Sequence, residues 1–561
     1  MKSKFISIFL ITIFSIVFCQ AQSYNQNAIL FADSLMKARY PASDPGAVLL
    51  IAKDGQPVFE KGYGLASMEL KVPDQPANLF AIGSMTKQFT AVAILQLEQR
   101  GLLSLSDDIK KYLPDFNTYG QKITIENLLT HTGGLVSMVD IKSFKEIDGK
   151  KESVIYDPDA PLLFKPGSAW SYSNTGYFLL GLIIQKVSGT SYEDFVRKNI
   201  FEPLNMTHTY FGTHEKILPE LAGGYDPIGS ADFKPTAFYS WAEPYSVGGI
   251  ISNVNDLMKW DEALYGEMII KKQQLSKAFS NYKLTSGRYS GYGYGWAVSN
   301  FKGVTFIHHG GQIGGYLSYG VRIPSQHLYV VVLSNSTKVN PDALTTPIAL
   351  KLSGLSITPV SNVLKLTVAE LTSYIGVYEV TKGAAADNTH KTYREIHLKN
   401  DTLFLQRNGY EMPLLCKSRD EFYNPQGTSE ALFHRNDQSK IVAVEIINLP
   451  ISFGPTDLEV KTDLPFAPKK EKFSMKQAEL KRFTGSYNLT SGVHTVITLE
   501  SGNLYIEAVG LGKFELLAES TSSFEIKGVD ASLEFIIDNT GAIKGFNLLQ
   551  SGGKMEAKRV N

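Results

Sequence analysis

The stretch that decides the fold is Ser84–Arg100, which reads S-M-T-K-Q-F-T-A-V-A-I-L-Q-L-E-Q-R. The apolar residues from Phe89 to Leu97 predict a buried helix with a serine at its N-terminal end. The i,i+3 spacing places Lys87 on the same face as Ser84, within reach of the hydroxyl. Burial favours the neutral form of an amine, so such a lysine can accept the serine proton. The segment therefore predicts a nucleophilic serine with its own base.

The tetrad Ser-x-x-Lys is weak when taken alone, because it occurs four more times, at Ser34, Ser280, Ser299 and Ser551. Only the copy at Ser84 begins an apolar helix. A simple helix N-cap is the structural alternative for that serine, and the tetrad by itself leaves it open.

Further motifs accompany this helix in a fixed order along residues 23–355. They are L-L-T-H-T-G-G-L at 128–135, Tyr172-Ser173-Asn174, S-V-G-G-I at 246–250, and His309-Gly310-Gly311. Together with Ser84 and Lys87, this set resembles the class C β-lactamase and DD-peptidase family of serine hydrolases. The resemblance implies an α+β domain in which helices flank an antiparallel sheet, as in the β-lactamase/transpeptidase fold.

The resemblance also implies roles for individual residues. Ser84 matches the acylated nucleophile, and Lys87 matches its proton acceptor. Tyr172 matches the tyrosine that relays the proton to the leaving group, a role that requires positive charge nearby, from Lys87 and His309. Asn174 matches the amide that orients the substrate and contacts the lysine.

The third element of the family lines the site with a β-strand, and here it corresponds to His309, Gly310 and Gly311. The backbone N–H of Gln312 would pair with that of Ser84 as an oxyanion hole, typically worth ~3 kcal/mol per donor. Histidine and glycine replace the lysine and threonine of the lactamases, which weakens a specific β-lactamase interpretation.

A rival for the third element is His131, because His131-Thr132-Gly133 spells His-Thr-Gly outright. It precedes the tyrosine motif, whereas the family's third element comes last. We therefore expect His309 in the site, His131 in a structural turn, and His308 in the core or on the surface.

The last 200 residues contain a repeat. Glu370–Tyr378 matches Glu479–Tyr487 at an offset of 109, and positions such as Phe433 and Phe535 match at an offset of 102. Period-two alternation and tight turns in each copy predict short antiparallel strands. We expect a signal peptide at 1–21, a hydrolase domain at 22–358, and two lipocalin-like β domains, barrels or curled sheets, at 359–465 and 466–561.

The first residues predict export. Lys2 and Lys4 precede an apolar run from Phe5 to Phe18 that is shorter than the ~20 residues needed to span a bilayer. The interpretation is a cleaved signal and a periplasmic or secreted protein without stable membrane insertion. The bulky Phe18 disfavours a lipoprotein anchored through Cys19.

Composition excludes several classes of function. Lys+Arg and Asp+Glu both total 55, so bulk charge gives no reason to expect nucleic-acid binding. Metal-binding and nucleotide-binding spacings do not occur, and no cofactor is inferred.

The expected partner is a small-molecule or peptide substrate, and cell-wall peptides, β-lactams and esters fit the motifs. The leading hypothesis is an exported acyl-enzyme hydrolase of DD-peptidase, D-aminopeptidase or β-lactamase type. An esterase, or a penicillin-binding or other ligand-binding protein with little turnover, is the alternative. The β domains could cap the cleft, limit substrate size, bind glycan or act as spacers.

Overall fold

A computed structural model of the chain describes residues 26–561, with gaps at 137–143, 148–149, 154–160, 213–216, 229–231, 237–244, 288, 356–362, 383–392, 408–409, 426–428, 449–456, 467–472, 474, 490–493, 501, 509–511, 528–530, 551–552 and 561. The chain forms two compact units. The first comprises the described parts of Met1–Ser104, Leu180–Ser280 and Tyr294–Ile357, and the second those of Leu105–Leu179, Asn281–Gly293 and Thr358–Asn561. Among the described helices, none combines the length and the apolar character needed to cross a membrane.

The first unit is built on a six-stranded antiparallel sheet in the order β12-β13-β14-β15-β1-β2. The central strands β1 and β15 are rich in Val, Ile and Leu and are almost completely buried. Such apolar strands are stable where other elements of the domain cover their faces. Residues 47–53 pair with residues 328–334 in one unbroken register. The strands of the N-terminal two-thirds are β1 Ala47–Lys53, β2 Gln56–Tyr63, β3 Leu65–Ser67, β4 Val72–Pro73, β5 Phe80–Ala81, β6 Phe144–Ile147, β7 Lys150–Ser153, β8 Tyr210–Phe211, β9 Tyr225–Ile228, β10 Asp232–Pro235, β11 Ile250–Ser252, β12 Ala297–Phe301, β13 Val304–Ile313, β14 Tyr316–Ile323 and β15 Leu328–Ser334.

The helix that follows the serine is the most buried one of this region. Every residue of this helix from Thr86 to Leu97 is buried, as its apolar run predicts. The helices are α1 at 26–39, α2 Thr86–Gln99, α3 Ile125–Leu129, α4 Asn174–Ser188, α5 Tyr192–Val196, α6 Tyr245–Gly248, α7 Val254–Ala263, α8 Lys272–Ala278 and α9 Asp342–Leu352.

The start of the serine helix differs from the sequence prediction, and the start of α7 shows a different kind of cap. Regular helix begins at Thr86, and Ser84 lies in a 3-10 turn, Gly83–Met85, without capping a backbone N–H through its side chain. The cap of α7 is Asn253, whose side chain accepts the Asp256 N–H, and the neighbouring Ser252 belongs to β11. At α7 a polar side chain caps the helix, whereas the N-cap of α2 is Met85, which makes no side-chain cap.

The repeat forms two closed eight-stranded antiparallel barrels, as predicted. In each barrel the first strand pairs with both the second and the last, so no edge remains. The elements are α10 Val368–Thr372, β16 Gly376–Lys382, β17 Tyr393–Lys399, β18 Thr402–Arg407, β19 Tyr410–Ser418, β20 Glu421–Tyr423, β21 Ser429–Arg435, β22 Ile441–Asn448, β23 Asp457–Lys461, α11 Gln477–Leu480, β24 Gly485–Leu489, β25 His494–Glu500, β26 Asn503–Ala508, β27 Gly512–Ala518, β28 Ser523–Ile526, β29 Ala531–Ile537, β30 Ile543–Gln550 and β31 Gly553–Val560.

Each barrel is filled by its own apolar core. Phe422 and Phe433 are buried in the first barrel, and their repeat partners Phe524 and Phe535 are buried in the second. The predicted α+β domain followed by two β barrels is therefore confirmed. The predicted signal peptide falls outside the described residues.

Candidate active site

Ser84 stands out in its surroundings. It is the one residue between Leu79 and Leu97 that is not fully buried. Its hydroxyl Oγ accepts a hydrogen bond of 3.0 Å from the Nζ of Lys87, one helical turn further on. The turn thus presents a hydroxyl that a substrate can reach, with an amine already in contact with it.

Lys87 has no exposed surface, and its second hydrogen bond of 3.0 Å goes to the carbonyl oxygen of Val247. Burial holds the pKa of this amine well below its ordinary value. The neutral amine carries a lone pair and can accept the Ser84 proton. The backbone of Lys87 is also closely covered, since a Cβ on Gly295, which has a φ of +82°, would lie 2.8 Å from the Lys87 carbonyl oxygen.

The motif at 246–250 holds the serine helix in place. The hydroxyl of Thr90 donates to the Ser246 carbonyl at 2.7 Å, and the Ile250 N–H donates to the Thr86 hydroxyl at 3.2 Å. The motif is part of the family resemblance, but the sequence alone did not predict a role for Val247. No periodicity links Val247 to Lys87, which lies 160 residues away.

Strand β13 runs beside the turn that precedes Ser84. A Cβ on Gly311 would lie 1.9 Å from the Ile82 carbonyl oxygen, and one on Gly83 would lie 2.7 Å from the backbone nitrogen of Gln312. Glycine is required at both positions by this close approach. The hydroxyl of Ser318 donates to the same Ile82 carbonyl at 2.7 Å, which ties β14 to the turn as well.

His309 is buried on this strand, and its Nδ1 lies 2.6 Å from the Gly310 carbonyl. A carbonyl only accepts, so this contact assigns the proton to Nδ1. Burial and the nearby Lys87 lower the pKa of His309 to about 3. The expectation that Lys87 and His309 supply positive charge is therefore wrong for the resting site, where the amine and the imidazole are both neutral.

The adjacent His308 belongs to a different network. Its Nδ1 contacts the Tyr319 hydroxyl at 2.8 Å and its Nε2 contacts the Ser299 hydroxyl at 3.0 Å. The ring of Tyr319 also fills the space beside Gly310, where an added Cβ would lie 2.9 Å from it. His308 is a core residue, as one of the two predicted settings had it, and the glycine at 310 fits the tyrosine next to it.

Tyr172 lies in the second unit, where its ring contacts His131 at a centroid distance of 4.3 Å. The Nδ1 of His131 accepts the Ser173 N–H at 3.1 Å, and the His131 carbonyl accepts the Ser171 N–H at 3.0 Å. His131 has a φ of +58°, as a tight turn requires. This histidine thus holds the tyrosine segment, in line with the expected structural turn, while His309 is on the strand beside Gly83.

Asn174 is the first residue of α4, directly after Ser173. The Ser173 hydroxyl accepts the Gly176 N–H at 3.3 Å, and the Thr175 hydroxyl donates to the Val136 carbonyl at 2.9 Å. These contacts fix the start of the helix. That Tyr172 and Asn174 act together with Ser84 stays a prediction of the resemblance.

The family model described as Beta-lactamase matches residues 38–354, more than half of the chain. The chain belongs to the beta-lactamase family. Within the matched region, Ser84 and Lys87 are in hydrogen-bond contact at the start of the buried helix α2, and two barrels follow that region.

Individual relatives agree with this assignment. The chain is 27% identical to penicillin-binding protein 4* of Bacillus subtilis over 534 residues, which cover 91% of this chain and 94% of that protein. It is 34% identical to Protein flp of Staphylococcus aureus over 303 residues, 52% of this chain and 59% of the relative.

Solved structures show the same fold. The octameric penicillin-binding protein homologue from Pyrococcus abyssi has a TM-score of 0.52 at 29% identity and covers 78% of this chain and 99% of its own. The D-amino acid amidase from Ochrobactrum anthropi SV3 has a TM-score of 0.50 at 24% identity, covering 59% and 98% respectively. The family is one of serine hydrolases, and this chain is a beta-lactamase-related member of it.

Proposed function

We propose that the protein is an exported hydrolase that cleaves an amide through an acyl-enzyme on Ser84, with a D-amino-acid peptide as its substrate. The observation that carries this proposal is the buried amine of Lys87, 3.0 Å from the Ser84 hydroxyl. A serine is a weak nucleophile at its ordinary pKa, and a neutral amine in contact with it removes that limitation.

In the first step, Lys87 Nζ takes the proton of Ser84 while Oγ bonds to the substrate carbonyl carbon. The negative charge that develops on the carbonyl oxygen is met by the N–H groups of Ser84 and Gln312. The proton then passes through the Tyr172 hydroxyl to the departing nitrogen, and the carbon–nitrogen bond breaks. Water next attacks the Ser84 ester and releases the acid, which regenerates the free serine.

Asn174 orients the substrate amide in this proposal, and His309 on strand β13 contributes a neutral imidazole. The names of two relatives, a penicillin-binding protein of Bacillus subtilis and a penicillin-binding protein homologue of Pyrococcus abyssi, support a substrate of the D-amino-acid type. The predicted signal at 1–21 supports export, which would bring the enzyme to cell-wall peptides.

An esterase is the second candidate, and the third motif favours it. Gly310 carries no hydroxyl to hold a substrate carboxylate, and the Tyr319 ring occupies the space beside it. A site without that hydroxyl has less reason to select peptides that end in a free acid.

The test combines three probes with intact-mass measurement. Purified protein is incubated with a fluorescent penicillin, a D-alanyl-D-alanine peptide and an activated ester, in parallel with Ser84→Ala. We expect a covalent adduct with penicillin and turnover of the peptide, both lost in Ser84→Ala. A matched control is Ser280→Ala, which removes the serine of another Ser-x-x-Lys tetrad at an exposed position.

The outcomes separate the candidates. Ester turnover without peptide turnover or penicillin labelling assigns the esterase, and labelling without turnover assigns a penicillin-binding protein with little activity. Turnover that survives in Ser84→Ala would refute the acyl-enzyme altogether.

A further inference from the structure

The second barrel contains an open cavity of about 740 Å³ beside the start of its first strand. Three cations contribute to its lining, Arg482, Lys544 and Arg559, and no acidic residue does. Gly485 and Gly541 form part of the wall, so little side-chain bulk fills the space. We refer to this feature as the basic groove.

The two arginines of the basic groove are held in fixed positions by neutral partners. Arg559 donates through Nη2 to the Thr484 carbonyl at 2.6 Å and through Nη1 to the Arg482 carbonyl at 3.2 Å. Arg482 donates through Nη2 to the Gly541 carbonyl at 2.7 Å. Carbonyl partners leave the positive charge in place, and a guanidinium has five donors, so each head keeps donors for a ligand.

One acid stands close to the basic groove. Lys544 pairs with Asp538 at 2.9 Å, and the lysine side chain is 62% exposed. The hydroxyl of Thr540 and the Lys544 amine hold the pKa of Asp538 well below its ordinary range, so the acid is ionised. Three cations against one carboxylate leave the groove positive.

The first barrel provides an internal comparison at the matching positions. Its last strand also carries a cation, since Lys461 donates to the Ser373 carbonyl at 2.8 Å as Arg559 does to that of Arg482. A cation at this point therefore has a structural role in both barrels. The two further cations are particular to the second barrel, where Arg482 and Lys544 stand at the positions of Ser373 and Val442.

At the corresponding end of the first barrel, the positive charge of Arg435 is neutralised by Asp420. Arg435 Nε lies 2.9 Å from both carboxylate oxygens of Asp420, and the Tyr374 hydroxyl donates to the same acid at 2.8 Å. In the second barrel the repeat places Ile537, Ser522 and Phe483 at those three positions. The second barrel lacks this ion pair and contains the two further cations.

We propose that the basic groove binds an oxyanion, with the guanidinium groups of Arg482 and Arg559 as its forked donors and Lys544 as a third charge. Carboxylates and phosphates share the geometry that such forks recognise. A peptide carboxylate or a phosphate of an anionic polymer could supply the group. The groove would then hold an anionic ligand independently of the serine site.

Calorimetric titration of the full-length Ser84→Ala protein tests this proposal without interference from turnover. The probes are inorganic phosphate and succinate, which separate the phosphate and carboxylate sources. We expect one of them to bind, and Arg482→Ala/Lys544→Ala to weaken that binding by tenfold or more, because charge-assisted hydrogen bonds are lost.

Lys558→Ala is the matched control, because it removes one charge on the same strand as Arg559 at an exposed position. It should leave binding unchanged, and circular dichroism should show all variants folded. If neither probe binds, or if the control weakens binding as much as the double variant, the proposal is wrong. If binding survives in the double variant, the anion sits elsewhere, which also overturns it.

Discussion

Two buried basic residues of this protein, Lys87 and Arg394, differ in the groups that they contact. Lys87 in the hydrolase region has no exposed surface, and its amine donates hydrogen bonds to the neutral Ser84 hydroxyl and to the Val247 carbonyl. Arg394 in the first barrel is 2% exposed and pairs with the carboxylate of Glu459, which is fully buried. These two hydrogen bonds of Lys87 go to neutral oxygens, whereas Arg394 forms an ion pair with a buried carboxylate.

This difference indicates which of the two buried basic groups can act as a proton acceptor. Burial favours the neutral form of an amine, which can then act as a base, whereas a buried guanidinium keeps its proton and is stabilised by a carboxylate. The barrel does not require such a pair, because the second barrel has Thr495 opposite Tyr487 and Ala557 opposite Leu489 at the matching places. The pair in the first barrel is structural, and the lysine is the candidate base of the proposed mechanism.

The largest expected effect is on the acylation rate, when Lys87 is replaced. Lys87→Met should lower the acylation rate by about 10³-fold, because the serine loses its base. The free energy of unfolding should stay the same or rise, since methionine buries no amine. Stopped-flow acylation and thermal unfolding measure the two quantities. Lys186→Met, at an exposed position near the end of α4, is the control, and a variant at Lys87 that keeps a tenth of the rate would refute the assignment.

The next effect concerns the arginine side. Arg394→Met leaves Glu459 buried without its counter-ion and should destabilise the first barrel by about 3 kcal/mol, with acylation unchanged. Hydrogen exchange over β16–β23 reports this local stability. The double variant Arg394→Thr/Glu459→Ala, which installs the second barrel's residues, should recover most of the loss.

A surface pair of the same barrel serves as the control for that measurement. Lys399 and Glu411 lie 3.0 Å apart with side chains 56% and 38% exposed. Lys399→Met should cost well under 1 kcal/mol, as exposed pairs do. Equal costs at both sites would remove the distinction between buried and exposed pairs.

The smallest effect involves Asp74, an acid that resembles Lys87 in its burial. Neither of its carboxylate oxygens has a hydrogen-bond partner among the described residues, and burial raises its pKa well above the ordinary value. A raised acid pKa means that the folded state binds more protons than the unfolded one, so stability falls as pH rises above about 4. Asp74→Asn removes this dependence and should stabilise the protein by about 1 kcal/mol at neutral pH.

Chemical denaturation of wild type and Asp74→Asn at several pH values measures that gain. The difference between the two proteins should grow from acid toward neutral pH. A difference that is constant with pH would mean that Asp74 titrates normally in the folded protein.

Local pattern predicted the parts of the site that lie within one element. The helix after Ser84 and the contact with Lys87 follow from the apolar run and the i,i+3 spacing, and both are found. The two barrels follow from the repeat, because the same alternation of buried residues recurs in each copy. Capping was less predictable, because the N-cap of α2 is Met85 and not Ser84.

Local sequence pattern did not predict contacts between segments that are distant in the chain. The acceptor for Lys87 is the backbone of Val247, and a carbonyl leaves no residue type to recognise. The charge of His309 was also mispredicted, because the sequence does not report how completely a strand is covered.

By itself, the sequence determined which residue types stand at Ser84, Lys87 and the repeated barrel positions, and thereby the helix, the strands and their order. Only the tertiary structure decided that Lys87 lies fully buried, that the strand of His309 runs beside the serine turn, and that three cations line a groove in the second barrel. The physical reason is that backbone periodicity fixes neighbours within an element, whereas desolvation and charge pairing depend on packing between segments far apart in the chain.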